Sequence, residues 1–252
     1  MKNFKIRSLV LTLAVVFACT TAVTNAADVA DSAVQTKSAE LQTAQKNSSA
    51  GSEIMILEND FENTALFNGS VVNMVGEYNR VGRWGVFSAK GPLVTTEKAH
   101  SGKQAIKLIR GGGDLLGYGE GATAAGRDYE TVFWLYRPAD GSFSVFLSSE
   151  NNKEMCGIYI WPTPEGEMFL YNFAAGKWTP TKTTVPADQW IKIKILSDSA
   201  NKKYGAVAQS EQAPDTWEKL NSEDGVRSIK FTPAAPDKKV SCYIDDVAII
   251  QK

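Results

Sequence analysis

From about Glu53 onward, apolar and polar residues alternate in short runs broken by turn-forming clusters. Trp190 to Leu196 carries the pattern most clearly: Ile191, Ile193 and Ile195 fall on one side, Lys192 and Lys194 on the other. A period of two puts successive side chains on opposite faces and predicts a half-buried strand. The runs 105–109, 143–148, 157–161, 168–173 and 241–250 obey the same rule. Between them, 101–103, 138–141, 164–167 and 175–177 have the Gly, Pro and Asp content of hairpins and turns. After Glu53 no stretch of twelve or more residues keeps a 3.6-residue period. Many short strands with regular turn signals predict an all-β fold, an antiparallel β-sandwich or jelly roll, over residues 53–252 as one domain.

The two faces of these strands differ in kind. Phe133 and Leu135 oppose Trp134 and Tyr136; Phe143, Val145 and Leu147 oppose Phe146. Ile158 and Ile160 oppose Tyr159 and Trp161; Met168 and Leu170 oppose Phe169, Tyr171 and Phe173. If these strands are sheet neighbours, one face is an aliphatic core and the other an aromatic floor. Such a floor is a binding platform, with Trp134, Tyr136, Tyr159, Trp161 and Tyr171 on it and Arg137 and Trp178 near its rim. The competing reading makes the aromatic layer the main core. Trp84 and Trp190 are expected to pack structurally.

The first residues read as an address. Lys2, Lys5 and Arg7 precede an apolar run, Leu9 to Ala18, too short to span a bilayer as a helix. Thr24-Asn25-Ala26 offers the small residues of a signal-peptidase site, so residues 1–26 are expected to be a signal peptide of an exported protein. Val16-Phe17-Ala18-Cys19 also resembles a lipobox, in which Cys19 is lipidated and becomes the new N-terminus. The product is then secreted, periplasmic or an outer-membrane lipoprotein, touching a membrane only through that anchor. Residues 27–52 hold no aromatic residue and are rich in Ala, Ser, Thr and Gln, as in a disordered spacer.

Composition narrows the chemistry. A net charge of −1 gives no footprint for nucleic acid. One histidine, His100, argues against a His-rich zinc site, and no Gly-x-Ser-x-Gly elbow is present. Glu165 and Glu167 alternate, but Gly166 between them makes a solvated turn. The Gly-rich 110–121 lacks the strand–helix context of a nucleotide loop and is expected to form a mobile loop, with Tyr118 at the rim. Cys156 and Cys242 are an even pair once Cys19 is removed, open to a disulfide or to two buried thiols.

The order of motifs resembles a known group. Leu57-Glu58-Asn59-Asp60-Phe61-Glu62 comes first, then Trp84 and Ala99-His100-Ser101-Gly102-Lys103. Val185-Pro186-Ala187-Asp188-Gln189-Trp190 follows, and Tyr243-Ile244-Asp245-Asp246-Val247 closes the chain. Together they are similar to the jelly-roll carbohydrate-binding modules of the concanavalin A-like β-sandwich superfamily. The resemblance implies non-catalytic binding of a polysaccharide or glycan. It further implies a structural calcium (Ca2+) on Glu62, on backbone carbonyls near Ser101 and Lys103, and on Asp245 or Asp246. Of that pair, Asp245 is in phase with Val247 and Ile249 and is expected to be the more inward. The alternatives are a polysaccharide lyase or glycoside hydrolase of the same fold, and a structural or adhesive protein-binding domain.

Overall fold

The computed structural model describes residues 53–62, 83–86, 92–109, 113–233 and 240–252. The expected signal peptide, Cys19 lipid anchor and spacer lie outside them. Among the described residues every regular element is a strand, and every pairing is antiparallel. One sheet holds the first and last strands. It runs β13 (Glu218–Lys219), β12 (Lys203–Ala208), β11 (Trp190–Asp198), β6 (Tyr129–Tyr136), β15 (Ser241–Gln251), β4 (Ala105–Ile109) and β3 (Leu93–Thr95), and β1 (Ile54–Asn59) also pairs with β15. The other runs β10 (Lys177–Thr184), β9 (Glu167–Asn172), β8 (Glu154–Ile160), β7 (Phe143–Ser149), β14 (Val226–Pro233), β5 (Leu115–Tyr118) and β2 (Arg83–Val86). We call them the terminal sheet and the hairpin sheet, because β7 to β10 form three successive hairpins.

Burial follows the alternation. Phe133, Leu135, Ile191, Ile193, Ile195, Ile244, Val247 and Ile249 of the terminal sheet are buried. They belong to one core with Phe143, Val145, Leu147, Ile158, Ile160, Met168, Leu170, Ile229 and Phe231 of the hairpin sheet. Trp84 lies in that core, edge-on to Phe61 at 5.2 Å and stacked on Phe231 at 6.3 Å. Gly117 lies beneath it; a Cβ there would stand 2.9 Å from the Trp84 ring. The Gly-rich segment is therefore partly a strand, β5, where a loop was expected, because only a residue without a side chain fits under Trp84.

Arg137 follows the last residue of β6 and is fully buried. Its Nε donates to the carbonyl of Val185 at 2.8 Å, and Nη2 to those of Thr163 at 2.6 Å and Pro164 at 3.2 Å. Nη1 donates to the carbonyls of Pro138, Ala139 and Gly141 at 3.2–3.4 Å. One guanidinium thus ties two of the crossovers between the sheets, β6 to β7 (138–141) and β10 to β11 (185), to the β8–β9 turn (163–164). Gly166 meets it at φ 63°, where a Cβ would collide with Nη2 at 2.1 Å and the Val185 carbonyl at 2.2 Å. Arg137 was expected at the rim of a binding face. It is structural, because five fixed N–H donors match a ring of loop carbonyls.

Cys156 and Cys242 are both free and buried, one in each sheet. Cys156 packs in β8 opposite Leu147, where the Tyr129 hydroxyl donates to its sulfur at 3.6 Å; Cys242 packs in β15 opposite Leu108. Burial pushes both thiols up to about 12.

Replacing Arg137 with Met leaves buried carbonyls without donors, which costs about 3 kcal/mol in all. A urea midpoint corresponding to less than about 1 kcal/mol would show that the clasp does not hold the loops.

Candidate functional site

Outward-facing residues of the hairpin sheet form transverse rows. One row runs Trp178 (β10), Tyr171 (β9), Phe146 (β7), Lys230 (β14) and Leu116 (β5). The next runs Pro180, Phe169, Tyr159, Ser144 and Thr232. The aromatic members touch one another. Ring centroids are 4.8 Å apart for Tyr171–Trp178 and Tyr171–Phe173, 5.5 Å for Tyr159–Trp178 and 5.8 Å for Tyr159–Trp161. Trp161–Phe169 at 5.9 Å and Phe146–Trp178 at 6.0 Å complete an unbroken cluster. Most of these rings are half-buried, and Trp161 is 49% exposed.

Gly157 makes this layer continuous. It lies opposite Phe146 on β8, and a Cβ there would stand 2.5 Å from the Phe146 ring. The missing side chain lets Phe146 lie across β8 and reach Tyr171 and Trp178. Beyond Phe146 the face changes character. Lys230 Nζ stands 5.1 Å from the Phe146 ring centroid and 2.8 Å from Glu154 Oε1. Ser144, Ser148, Ser228 and Thr232 share this side of the sheet. The face is therefore aromatic from β10 to Phe146 of β7 and polar around Lys230 of β14 and Glu154 at the start of β8.

Of the sequence-predicted floor, Tyr159, Trp161, Tyr171 and Trp178 come together here. Trp134 and Tyr136 do not, because β6 belongs to the terminal sheet and they face out from the opposite side of the sandwich. There His100 stacks on Trp134 at 3.5 Å and 14°, and Lys98 Nζ stands 4.1 Å over Tyr136. Tyr136, Tyr243, Lys98 and Asp188 line an open cavity of about 440 Å³. The Tyr243 hydroxyl donates to Glu97 at 2.8 Å. Burial pushes that hydroxyl up to about 12. On this face loop 97–101 contributes His100 against Trp134, Lys98 over Tyr136 and Glu97 bonded to Tyr243. Lys230 and Glu154 were not foreseen, although Ser228, Lys230 and Thr232 alternate with Ile229 and Phe231 in the sequence.

The residues expected to hold calcium gather around one loop. Glu62 Oε1 accepts the N–H groups of Lys103 at 2.8 Å and Gln104 at 2.6 Å. Asp245 Oδ2 accepts those of His100 at 2.8 Å and Ser101 at 3.2 Å. Asp246 takes the Ser101 hydroxyl at 2.8 Å and faces His100 Nδ1 at 2.7 Å. Asp245 lies opposite Trp134 and Ala248 opposite Val132, so β15 carries an extra residue at this point, with Asp246 at φ 47°. The bulge breaks the expected phase: Asp245 faces outward with Trp134, whereas Val247 and Ile249 face the core. Asp245 is still fully buried, and burial raises its carboxyl to about 7, aided by the charge of Asp246 and opposed by the His100 and Ser101 amides. Carboxylates are hard oxygen donors of the kind calcium takes, but the contacts found here for Glu62, Asp245 and Asp246 are amide N–H groups, the Ser101 hydroxyl and His100 Nδ1. Among the described residues no three His, Cys, Asp or Glu side chains cluster as a metal site, so carbonyls and water must complete any such set.

No family model matches the chain, and no curated protein is similar to it in sequence. Solved structures are similar in shape. The binding domain of botulinum neurotoxin serotype D superposes with a TM-score of 0.50 at 15% identity, over 80% of this chain and 48% of that one. The fold is an antiparallel jelly-roll β-sandwich. A Clostridium thermocellum xylanase, its CBM22-1 and GH10 modules complexed with xylohexaose, matches over 78% of this chain and 28% of its own at 15% identity (TM-score 0.37). A tetrameric galectin from the sponge Cinachyrella sp. matches over 54% of this chain and 98% of its own at 8% identity (TM-score 0.41). This jelly roll spans 48% of the serotype D domain and 16% of a matching sialidase. Fold alone assigns no ligand.

A Gly157→Val change drives Phe146 off β8, and its cost falls when Phe146 is already Ala. A double-mutant cycle by thermal unfolding should give a coupling of about 0.5–3 kcal/mol; additive effects would mean that Gly157 is not what seats the ring.

Proposed function

We propose that this exported jelly roll binds a glycan without cleaving it, on the outward face of its hairpin sheet. The observation that carries the reading is the unbroken layer of aromatic rings from Phe146 to Trp161 on the solvent side. A sandwich whose interior is already filled does not need that layer for its core. Flat rings suit the C–H faces of sugars, and the hydroxyl-bearing side chains beside them suit sugar hydroxyls. In this reading a leader within residues 1–26 exports the protein, which is released or held by a lipid on Cys19.

The test is a glycan panel on residues 53–252, with product analysis of every hit. Wild type binds a polysaccharide and releases no products. Trp161→Ala weakens binding at least tenfold, about 1.4 kcal/mol, while Tm moves by less than about 2 °C, as for other surface changes. Unchanged binding by that variant would remove the site assignment. Cleavage products would favour the hydrolase or lyase reading, and silence on every glycan would favour protein adhesion.

Calcium enters the same reading as a structural ion. Glu62 and Asp245 would hold it with carbonyls of the Ser101–Lys103 loop, joining the end of β1 to β15. Calcium at a hundred times its Kd should stabilise the domain by about 2.7 kcal/mol, and Glu62→Gln should abolish the shift. A thermal midpoint indifferent to calcium and chelator would rule the ion out.

A further inference from the structure

The aromatic layer ends at a polar pair that no reading of the sequence assigned. On one side of Phe146 lie Tyr171 and Trp178; on the other lies Lys230, bridged to Glu154 at 2.8 Å. Both members of the pair are about one-third exposed (30% and 39%), so each is open to a ligand. The neighbouring cation on β14, Arg227, is likewise matched to Glu150, at 3.2 Å. Of the neighbouring hydroxyls, Ser148 and Thr232 are half-buried, whereas Ser144 and Ser228 are buried. From β10 to β14 this end of the face offers paired donors and acceptors and carries no unbalanced charge among these residues.

Resting on the glycan reading above, we infer that the Lys230–Glu154 pair is the specificity-determining end of the platform, and that it selects an uncharged sugar by a pair of adjacent hydroxyls. The chemistry is reciprocal. The Glu154 carboxylate only accepts and the Lys230 ammonium only donates, so together they meet one hydroxyl that donates and a neighbour that accepts. Hydrogen bonds to charged groups are the strong ones, and a ligand lacking the diol leaves them unmade. A uronate or sulfate that approaches Lys230 brings its negative charge against the adjacent Glu154 carboxylate, a repulsion that a neutral diol does not meet. The pair also gives the ligand a direction. Trp178, Tyr171, Phe146 and Lys230 fall in one row across four strand spacings, about 19 Å at roughly 4.8 Å each. An oligosaccharide lying across the strands therefore stacks over the β10–β8 rings and meets the diol-reading pair beside Phe146, where Lys230 of β14 reaches over the ring to Glu154 of β8.

The experiment compares wild type, Lys230→Met, Glu154→Gln and Trp161→Ala by calorimetry on neutral and uronic-acid oligosaccharides, with thermal unfolding of each variant. The inference requires that wild type prefers a neutral glycan. Lys230→Met and Glu154→Gln must each lose about tenfold or more on it while staying folded. Glu154→Gln, which leaves Lys230 as an unmatched cation, must also narrow the gap to the uronate. Neutral-glycan affinity within about twofold of wild type in both pair variants, together with loss in Trp161→Ala, overturns the inference and leaves the platform standing. Wild-type preference for the uronate does the same. If Trp161→Ala binds as well as wild type, the platform reading itself fails and this inference with it. Should either pair variant unfold, Lys230→Arg replaces it: a folded Lys230→Arg with neutral-glycan affinity unchanged and no shift in preference also overturns the proposal.

Discussion

The core between the sheets is filled from both sides by Ile, Leu, Val, Met and Phe side chains taken from every second strand position, and that filling constrains everything outside it. A strand cannot send two neighbouring side chains the same way unless it is bulged. Once Ile158, Ile160, Met168 and Leu170 are committed inward, Tyr159, Trp161, Phe169 and Tyr171 must face out. The aromatic layer is thus a consequence of register. Large apolar rings are retained on a solvent face of a sheet that already has its core, and an exposed apolar patch of this kind calls for a partner.

The same constraint explains what could be read from the sequence. The alternation in β4, β6, β7, β8, β9, β11 and β15 was legible because each strand has aliphatic residues at alternate positions. It also fixed which residues of a strand share a face. What alternation does not carry is which strand lies beside which. Trp134 and Tyr136 match the pattern of Tyr159 and Trp161, yet Arg137 and the crossover after it send the chain into the other sheet. The turn composition of Pro138–Gly141 is the same for a hairpin as for a crossover. Phase fails at the bulge for a related reason: Asp245 reads as inward by counting from Val247, but the extra residue near Asp246 reverses it. Arg137 was misplaced because an arginine at a strand end looks the same in sequence whether it meets solvent or a ring of carbonyls.

Within the fold, charge and rings are disposed differently on the two outer faces. On the terminal sheet the polar groups are turned to internal use. His100 lies on Trp134, Asp245 and Asp246 hold the 100–101 turn, and Glu97 joins Lys107 and Tyr243. Burial moves Asp245 up against its amide hydrogen bonds and moves Tyr243 up together with its bond to Glu97, whereas Glu97 is pulled down chiefly by its bond from Lys107. On the hairpin sheet the rings mostly contact one another, and the ion pair lies at one end. The two outer faces thus differ in what their rings meet: charged and polar side chains of loop 97–101 on one, and mostly one another on the other.

The most direct measurement is hydroxyl-radical footprinting of the folded domain with and without a saturating glycan hit from the panel, read residue by residue by mass spectrometry. The account predicts protection at Tyr159, Trp161 and Trp178, with Trp134, Trp190 and Tyr136 unchanged. Protection at Trp134, Trp190 and Tyr136 instead, with Trp161 still fully oxidised, would put the ligand on the other sheet and contradict it.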